Sequence, residues 1–183
     1  MENQSKFFEF FQVVGELKEL PRAGWLREKE IKNPENVADH CYRTGLLALL
    51  FSGDKKLDVN KMMKMGLIHD LAEAKIGDYT PYDKITPEEK RKKEEAAFRE
   101  ITKFLPQALG DEMLNLWLEF EEEKSEEGKI VRQLDILERM MQAQEYEQKY
   151  KVKLDSFFTA TKSITHPVLL PILEKILSRR KSV

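Results

Sequence analysis

No stretch of this chain alternates apolar and polar residues long enough to make a half-buried strand, whereas turn residues repeatedly bracket segments with apolar positions three or four apart. That patterning predicts an all-α fold. Residues 5–20, SKFFEFFQVVGELKEL, set Phe7, Phe11, Val14 and Leu17 or Lys18 at helical spacing before Pro21. Asn33-Pro34 reads as the start of a second helix running to about Ser52, with Gly53 ending it. Asp58 is placed to cap a third through LDVNKMMKMGLIHDLAEAK, with Met62, Met65, Ile68 and Leu71 or Ala72 as its buried stripe and Gly77 as its stop. Thr86-Pro87-Glu88-Glu89 spells a capping box with proline at the first helical position, opening a helix to about Phe104. Pro106 and Gly110 break the pattern before a helix at about 111–122, and Gly128 precedes a long one to about Tyr150. Pro167 and Pro171 divide the tail, 154–178, into two short helices.

At 183 residues, the chain is predicted to form one domain, a single-domain helical bundle over 1–183. Lysine and arginine number 31 against 33 aspartates and glutamates, a balance that argues against a nucleic-acid polymer as partner. The single cysteine excludes an internal disulfide, and no apolar run reaches the roughly 20 residues a membrane span needs. MENQSKFFEF lacks the basic and apolar regions of a secretory signal, so a reduced, cytoplasmic setting without a membrane is expected.

Chemistry concentrates in a few places. His40 lies in ENVADHCYRT, His69 and Asp70 are adjacent in GLIHDLAEAKIGD, and Asp135 stands among Val131, Leu134, Ile136 and Leu137 in the long helix. Isolated carboxylates beside an apolar face are costly to bury, and a divalent cation removes that cost by coordinating them. Two imidazoles and two carboxylates make an N2O2 set whose charge balances such an ion and leaves positions for water and substrate. The His-Asp pair alone is a weak motif. The case rests on all four residues together.

Their order, His40, then His69-Asp70, then Asp135, resembles the H…HD…D pattern of the HD-domain metal-dependent phosphohydrolases. GWLREKEIKNPENVADHCYRT, HDLAEAKIGDYTP and QLDILERMMQAQEY are similar to the 5′-deoxynucleotidase (YfbR-like) branch, and the likeness is strongest over 5–150, with 151–183 a C-terminal helical extension. The resemblance implies an HD-type helical bundle holding one divalent metal on His40, His69, Asp70 and Asp135, with Co²⁺ or Mn²⁺ favoured and Fe²⁺, Zn²⁺ or Mg²⁺ admissible. It implies Glu73 and Asp78 as the catalytic acids. Within a continuous helix, Glu73 would share a face with His69 and Asp70. The implied reaction is hydrolysis of the 5′-phosphomonoester of (deoxy)ribonucleoside monophosphates. Which carboxyl serves as base and which as acid stays open.

The family's Arg-Trp element before the first histidine contacts the nucleotide. Here Trp25 matches, but alanine and glycine precede it, leaving the phosphate contact open between Arg22 and Arg27, and a Trp25 packed on the core equally open. The stripe Asp135, Glu138, Gln142, Glu145 lines the cavity or, at its distal members, a solvated face. Cys41 reads as a small buried hydrophobe and not a fifth ligand, and His166 as structural. The stretch Lys84–Lys93 reads as a solvated face. Two other readings compete: an HD phosphohydrolase acting on a triphosphate, cyclic dinucleotide or guanosine polyphosphate, which would need additional Lys/Arg not evident near the motifs, and a non-catalytic helical interaction module stabilised by metal. Phe7, Phe8, Phe10 and Phe11 are too many for one buried stripe, and with the family's habit they point to a homo-oligomer, a dimer.

Overall fold

The computed structural model describes residues 2–51 and 56–180; Ser52 and Gly53, the expected end of the second helix, lie outside them. Among the described residues the elements are helical: α1 (Glu2–Glu16), α2 (Ala23–Leu26), α3 (Val37–Ala48), α4 (Val59–Ile68), α5 (Glu73–Ile76), α6 (Pro87–Thr102), α7 (Gln107–Glu121), α8 (Glu126–Tyr150) and α9 (Leu170–Arg180). Short 3₁₀ turns follow α3 at Leu49–Phe51 and fill the tail at Asp155–Phe158 and Thr161–Ser163. The all-α expectation holds.

Local signals explain most boundaries. Asp58 accepts the Lys61 amide proton at 3.0 Å, and Thr86 with Glu89 completes the capping box of α6. Ser125 accepts from the Gly128 amide, so α8 begins at Glu126 and runs 25 residues, roughly 37 Å at about 1.5 Å per residue. Other expectations are corrected. The second helix starts at Val37 and not at Asn33-Pro34. Asn36 is its N-cap, its amide donating to Asp39 Oδ2 at 3.0 Å, while the Arg22 amide pairs with the Glu35 carbonyl and holds the preceding residues extended. On α1 and the turn after it the inward residues are Phe10, Val13, Val14 and Leu17, whereas Phe7, Phe8 and Phe11 are exposed. α7 begins directly after Pro106, so Gly110 lies within it.

The third helix is also shorter than its periodicity predicts. It stops at Ile68, and a tight turn through His69–Ala72 leads into α5. The reason is tertiary: the indole of Trp117 on α7 donates to the His69 carbonyl at 3.1 Å, and the Glu73 amide turns to the Asp70 carbonyl at 3.0 Å instead.

Packing centres on α3, α4 and α8, which touch pairwise, with α7 against α4 and α8, α6 against α7, and α9 against α8. Two apolar clusters result. One gathers Val131, Leu134, Leu137 and Met140 of α8 with Met62, Met65 and the tail residues Leu169, Leu173 and Ile176. The other joins Leu17, Val37, Leu71, Ala97, Phe98, Ile101 and Trp117. Each fully buried large side chain among them stabilises the fold by ~1.5–3 kcal/mol. α3 crosses α4 at a glycine pair, where a Cβ on Gly66 would stand 3.0 Å from the backbone of Gly45. That close approach brings His40 of α3 to the C-terminal end of α4, where His69 sits.

Candidate metal centre and catalytic cleft

His40 and His69 are both buried, and their Nε2 atoms lie 3.2 Å apart. Each ring is held by its other nitrogen. Nδ1 of His69 is 2.9 Å from the carbonyl of Gly66, which can only accept, so Nδ1 carries a proton. Nδ1 of His40 is 2.5 Å from Glu138 Oε2, which also accepts. Neutral imidazoles anchored this way turn two lone pairs toward one another. Asp135 Oδ1 lies 3.1 Å from His40 Nε2, and Asp70 Oδ2 lies 3.2 Å from His69 Nε2 and 3.7 Å from His40 Nε2. Two lone pairs and two carboxylate oxygens converging within such distances require a cation among them, a proton or a metal.

The electrostatics agree. Burial and the Arg22 charge act to lower the His40 pKa, but bonds to Asp135 and Glu138 override them and raise it to about 9. His69 is raised against its burial by Asp70. Asp70 is held well below the usual carboxylate range, because His69, Arg22 and His40 overcome its desolvation, and Asp135 is lowered despite its burial, chiefly by His40. The site thus stabilises positive charge at its centre. A divalent ion fits this donor set: two borderline imidazole nitrogens, two hard oxygens and no redundant proton once the ion is bound. His40, His69 and Asp135 offer ligand atoms within 4.8 Å of one another, close enough to hold a metal ion.

The four expected ligands are therefore neighbours, drawn from α3, the turn after α4, and α8. Cys41 is buried, as expected of a small hydrophobe, yet its sulfur, a His69 nitrogen and an Asp70 oxygen lie within 4.8 Å of one another, nearer the centre than its position after His40 implies. His166 stands apart, its ring centroid 5.2 Å from that of Phe51.

A cleft of about 770 Å³ opens from Asp70 and Asp135. Glu73 and Asp78 line it. The break after α4 means that Glu73 reaches it from the start of α5 and not along a continuous helix with His69. Glu73 is 3% exposed, and its Oε2 has no hydrogen-bond partner. Burial first, then the charges of Asp70 and Asp78, raise its pKa well above that of an ordinary glutamate. Asp78 follows Gly77, whose φ of 80° lets the chain turn back after α5, and its Oδ2 accepts the Ala23 amide proton at 2.9 Å.

The three expected substrate contacts separate. Arg22 is at the centre: Nη1 donates to Asp70 Oδ2 at 2.8 Å, and Nε is 3.9 Å from Asp78 Oδ2. Arg27 sits at the cleft wall, its guanidinium 3.9 Å over the exposed Tyr82 ring. Trp25 is 1% exposed, stacked on Phe157 with ring centroids 4.0 Å apart, and donates to Glu35 Oε1 at 2.9 Å. Of the two readings of Trp25, the structure shows packing on the core, with the ring forming part of the cleft wall.

Additional cations, not evident from the motifs, are present. Lys90, Arg132 and Arg139 also line the cleft. Lys90 pairs with Glu94 at 3.2 Å, and Arg132 with Glu121 at 3.0 Å. No local signal marks them, because they reach the cleft only through the packing of α6 and α8.

The model of the HD domain family matches residues 14–176. The Dictyostelium discoideum 5′-deoxynucleotidase HDDC2 is 39% identical over 190 residues, which cover 97% of this chain and 100% of that protein. The human 5′-deoxynucleotidase HDDC2 is 37% identical over 177 residues, covering 95% of this chain and 86% of its own. Among solved structures, a protein of Pyrococcus horikoshii superimposes with a TM-score of 0.78 at 30% identity, covering 95% of this chain and 98% of that one.

Proposed function

The chain belongs to the HD-domain family, and from that premise we propose that it hydrolyses the 5′-phosphomonoester of deoxyribonucleoside monophosphates to nucleoside and phosphate. The observation that carries this reading is the convergence of His40, His69, Asp70 and Asp135 at the floor of a nucleotide-sized cleft that also holds two non-ligating carboxyls. Those four residues would hold one divalent ion; Co²⁺ or Mn²⁺ suits the N2O2 donors, with Fe²⁺, Zn²⁺ or Mg²⁺ as admissible occupants. When bound, the ion supplies Lewis acidity to the phosphoryl oxygens and acidifies water.

The remaining work falls to the chain's own groups. The oxygen of water bonds to phosphorus as the P–O5′ bond breaks, and a proton passes from that water to the departing 5′-oxygen. Glu73 exchanges this proton at its unpartnered Oε2, since its raised pKa suits a carboxyl that must both take and give one. Asp78, pinned by the Ala23 amide, orients the leaving side of the ester. Arg22 is the phosphate contact of the two candidates, because it already reaches the centre, whereas Arg27 lies against Tyr82. Trp25 and Phe157 form the apolar wall for the nucleoside.

A monophosphate is favoured over a polyphosphate because cations at the cleft are already engaged: Lys90 pairs with Glu94 and Arg132 with Glu121. A closed structural metal site would have no use for Glu73 and Asp78 beside it. We propose that the whole chain, 1–183, acts as one domain in the cytoplasm without nucleic-acid polymer or membrane partners. No helix among the described residues is long and apolar enough to cross a membrane. Exposed Phe7, Phe8 and Phe11 on α1 support a homodimer. The test is a panel of deoxyribo- and ribonucleoside monophosphates and triphosphates with Mn²⁺ or Co²⁺. Phosphate release from deoxyribonucleoside monophosphates is expected, and release from triphosphates alone would refute the reading.

A further inference from the structure

The stripe Glu138, Gln142, Glu145 on α8 lies outside the ligand set, yet it is not a plain solvated face. Glu138 follows Asp135 by three residues, on the same face of the helix, and is 0% exposed. Its Oε2 meets His40 Nδ1 at 2.5 Å, and its Oε1 lies 3.1 Å from Nε of Arg43. Arg43 follows His40 by three residues on α3, so the two helices pair in register: His40 against Glu138, and Arg43 against the next turns of α8. There Arg43 Nη1 donates to Gln142 Oε1 at 2.6 Å, and Nη2 to Glu145 Oε1 at 3.0 Å. One guanidinium thus spans two turns of α8, hydrogen-bonded to Gln142 and Glu145, and sets its charge beside Glu138 Oε1, which has no hydrogen-bond partner.

We propose that Glu138 is a positioning residue for the metal site, and that Arg43 anchored on Gln142 and Glu145 holds it in place. The inference rests on the metal reading above. A carboxylate on Nδ1 keeps the proton there, leaves Nε2 as a lone pair directed at the centre, and increases the donor strength of that nitrogen. A neutral acceptor retains the hydrogen bond and loses the charge. Removal of the acceptor lets His40 place its proton on Nε2, which ends coordination at that atom. Glu138 is buried, and Glu35 also places a carboxylate oxygen within 4.8 Å of His40 and Glu138 ligand atoms.

The experiment is titration of the metal-free protein with Mn²⁺ by calorimetry, beside its thermal melt. Glu138→Gln is expected to bind Mn²⁺ about 10- to 100-fold more weakly than the parent. It should keep a cooperative metal-free melt, so that the loss of affinity is read on folded protein even where the lost pairing lowers stability. Glu138→Ala, which removes the acceptor on Nδ1 altogether, should bind Mn²⁺ more weakly still than Glu138→Gln. Arg43→Gln, which leaves Glu138 in place but loosens it, should weaken Mn²⁺ binding by a smaller factor and serves if Glu138→Ala fails to fold. Parental Mn²⁺ affinity in Glu138→Gln would overturn the proposal, as would a loss of affinity accompanied by an equal loss of the metal-free fold. A parent that takes up no Mn²⁺ would instead remove the metal reading on which the proposal stands.

Discussion

Two fully buried glutamates on α8, Glu138 and Glu147, sit two and a half turns apart in opposite circumstances. Glu147 is saturated. Arg180 of α9 donates to both its oxygens at 2.7 and 2.8 Å, and the Leu154 amide adds a bond at 2.8 Å. That network closes on itself and ties the tail to the long helix. At the other end, Glu138 belongs to a cluster in which two imidazole lone pairs face each other and a Glu73 oxygen has no partner. Acids crowd there, with Asp70 and Asp135 lowered and Glu73 raised, the pattern of groups separated in proton affinity by their surroundings. The contrast teaches that burial of charge does not by itself mark function. A satisfied charge holds the fold together, and a converging, under-satisfied set waits for a ligand.

The sharpest way to break this distinction is to mutate one member of each network. Glu73→Gln should lower kcat about 10²- to 10⁴-fold with metal content unchanged, as removal of a proton-exchanging group does. Its melting temperature should stay level or rise, since the parent's carboxyl gains no partner at Oε2. Steady-state kinetics and a thermal melt read both quantities, and a stability loss with intact kcat would place Glu73 with Glu147 as structural. Arg180→Met should do the reverse, costing about 3 kcal/mol by leaving Glu147 buried and unpaired, with turnover per folded molecule unchanged. Denaturant titration beside kcat tests this.

A smaller effect sharpens the comparison through pH. Burial pushes Glu147 up, but Arg180 and the Leu154 amide more than offset it and hold the carboxyl below its ordinary 4.5. Stability from a lowered carboxyl is fully present above the unfolded value and is lost as pH falls through the folded one. The stability gap between the parent and Arg180→Met should therefore be full only above the raised value that burial gives Glu147 in the variant, and close as the pH falls from there through the parent's lowered one, by at most about 1.4 kcal/mol per pH unit. Urea melts across that range measure the gap. A gap that widened in acid would mean that Arg180 does not lower Glu147.

Much of the site could be read along the chain because its pieces are local. Helical punctuation located α6 and α8, and the spacing of His40, His69-Asp70 and Asp135 identified residues that meet. What could not be read depends on contacts between distant segments. Periodicity through 57–75 is unbroken, so nothing local shows that Trp117, 48 residues on, takes the His69 carbonyl and ends α4. Glu138 and Glu145 look equivalent on one stripe, but α3 covers the first and leaves the second half exposed. Lys90, Arg132 and Arg139 carry no motif, and their presence on the cleft is a product of helix packing. Trp25 was ambiguous because Phe157, its stacking partner, comes from the far end of the chain.

We propose that turnover depends on one divalent ion held among the converging donors. The most direct test of this dependence is stepwise addition of Mn²⁺ to chelator-stripped protein, with phosphate release from a deoxyribonucleoside 5′-monophosphate followed throughout. Activity should be absent at the start, rise linearly, and break at one equivalent per chain in the parent, while Asp135→Ala stays inactive at that stoichiometry. Full turnover in the stripped protein, or an Asp135→Ala curve that matches the parent's, would contradict it.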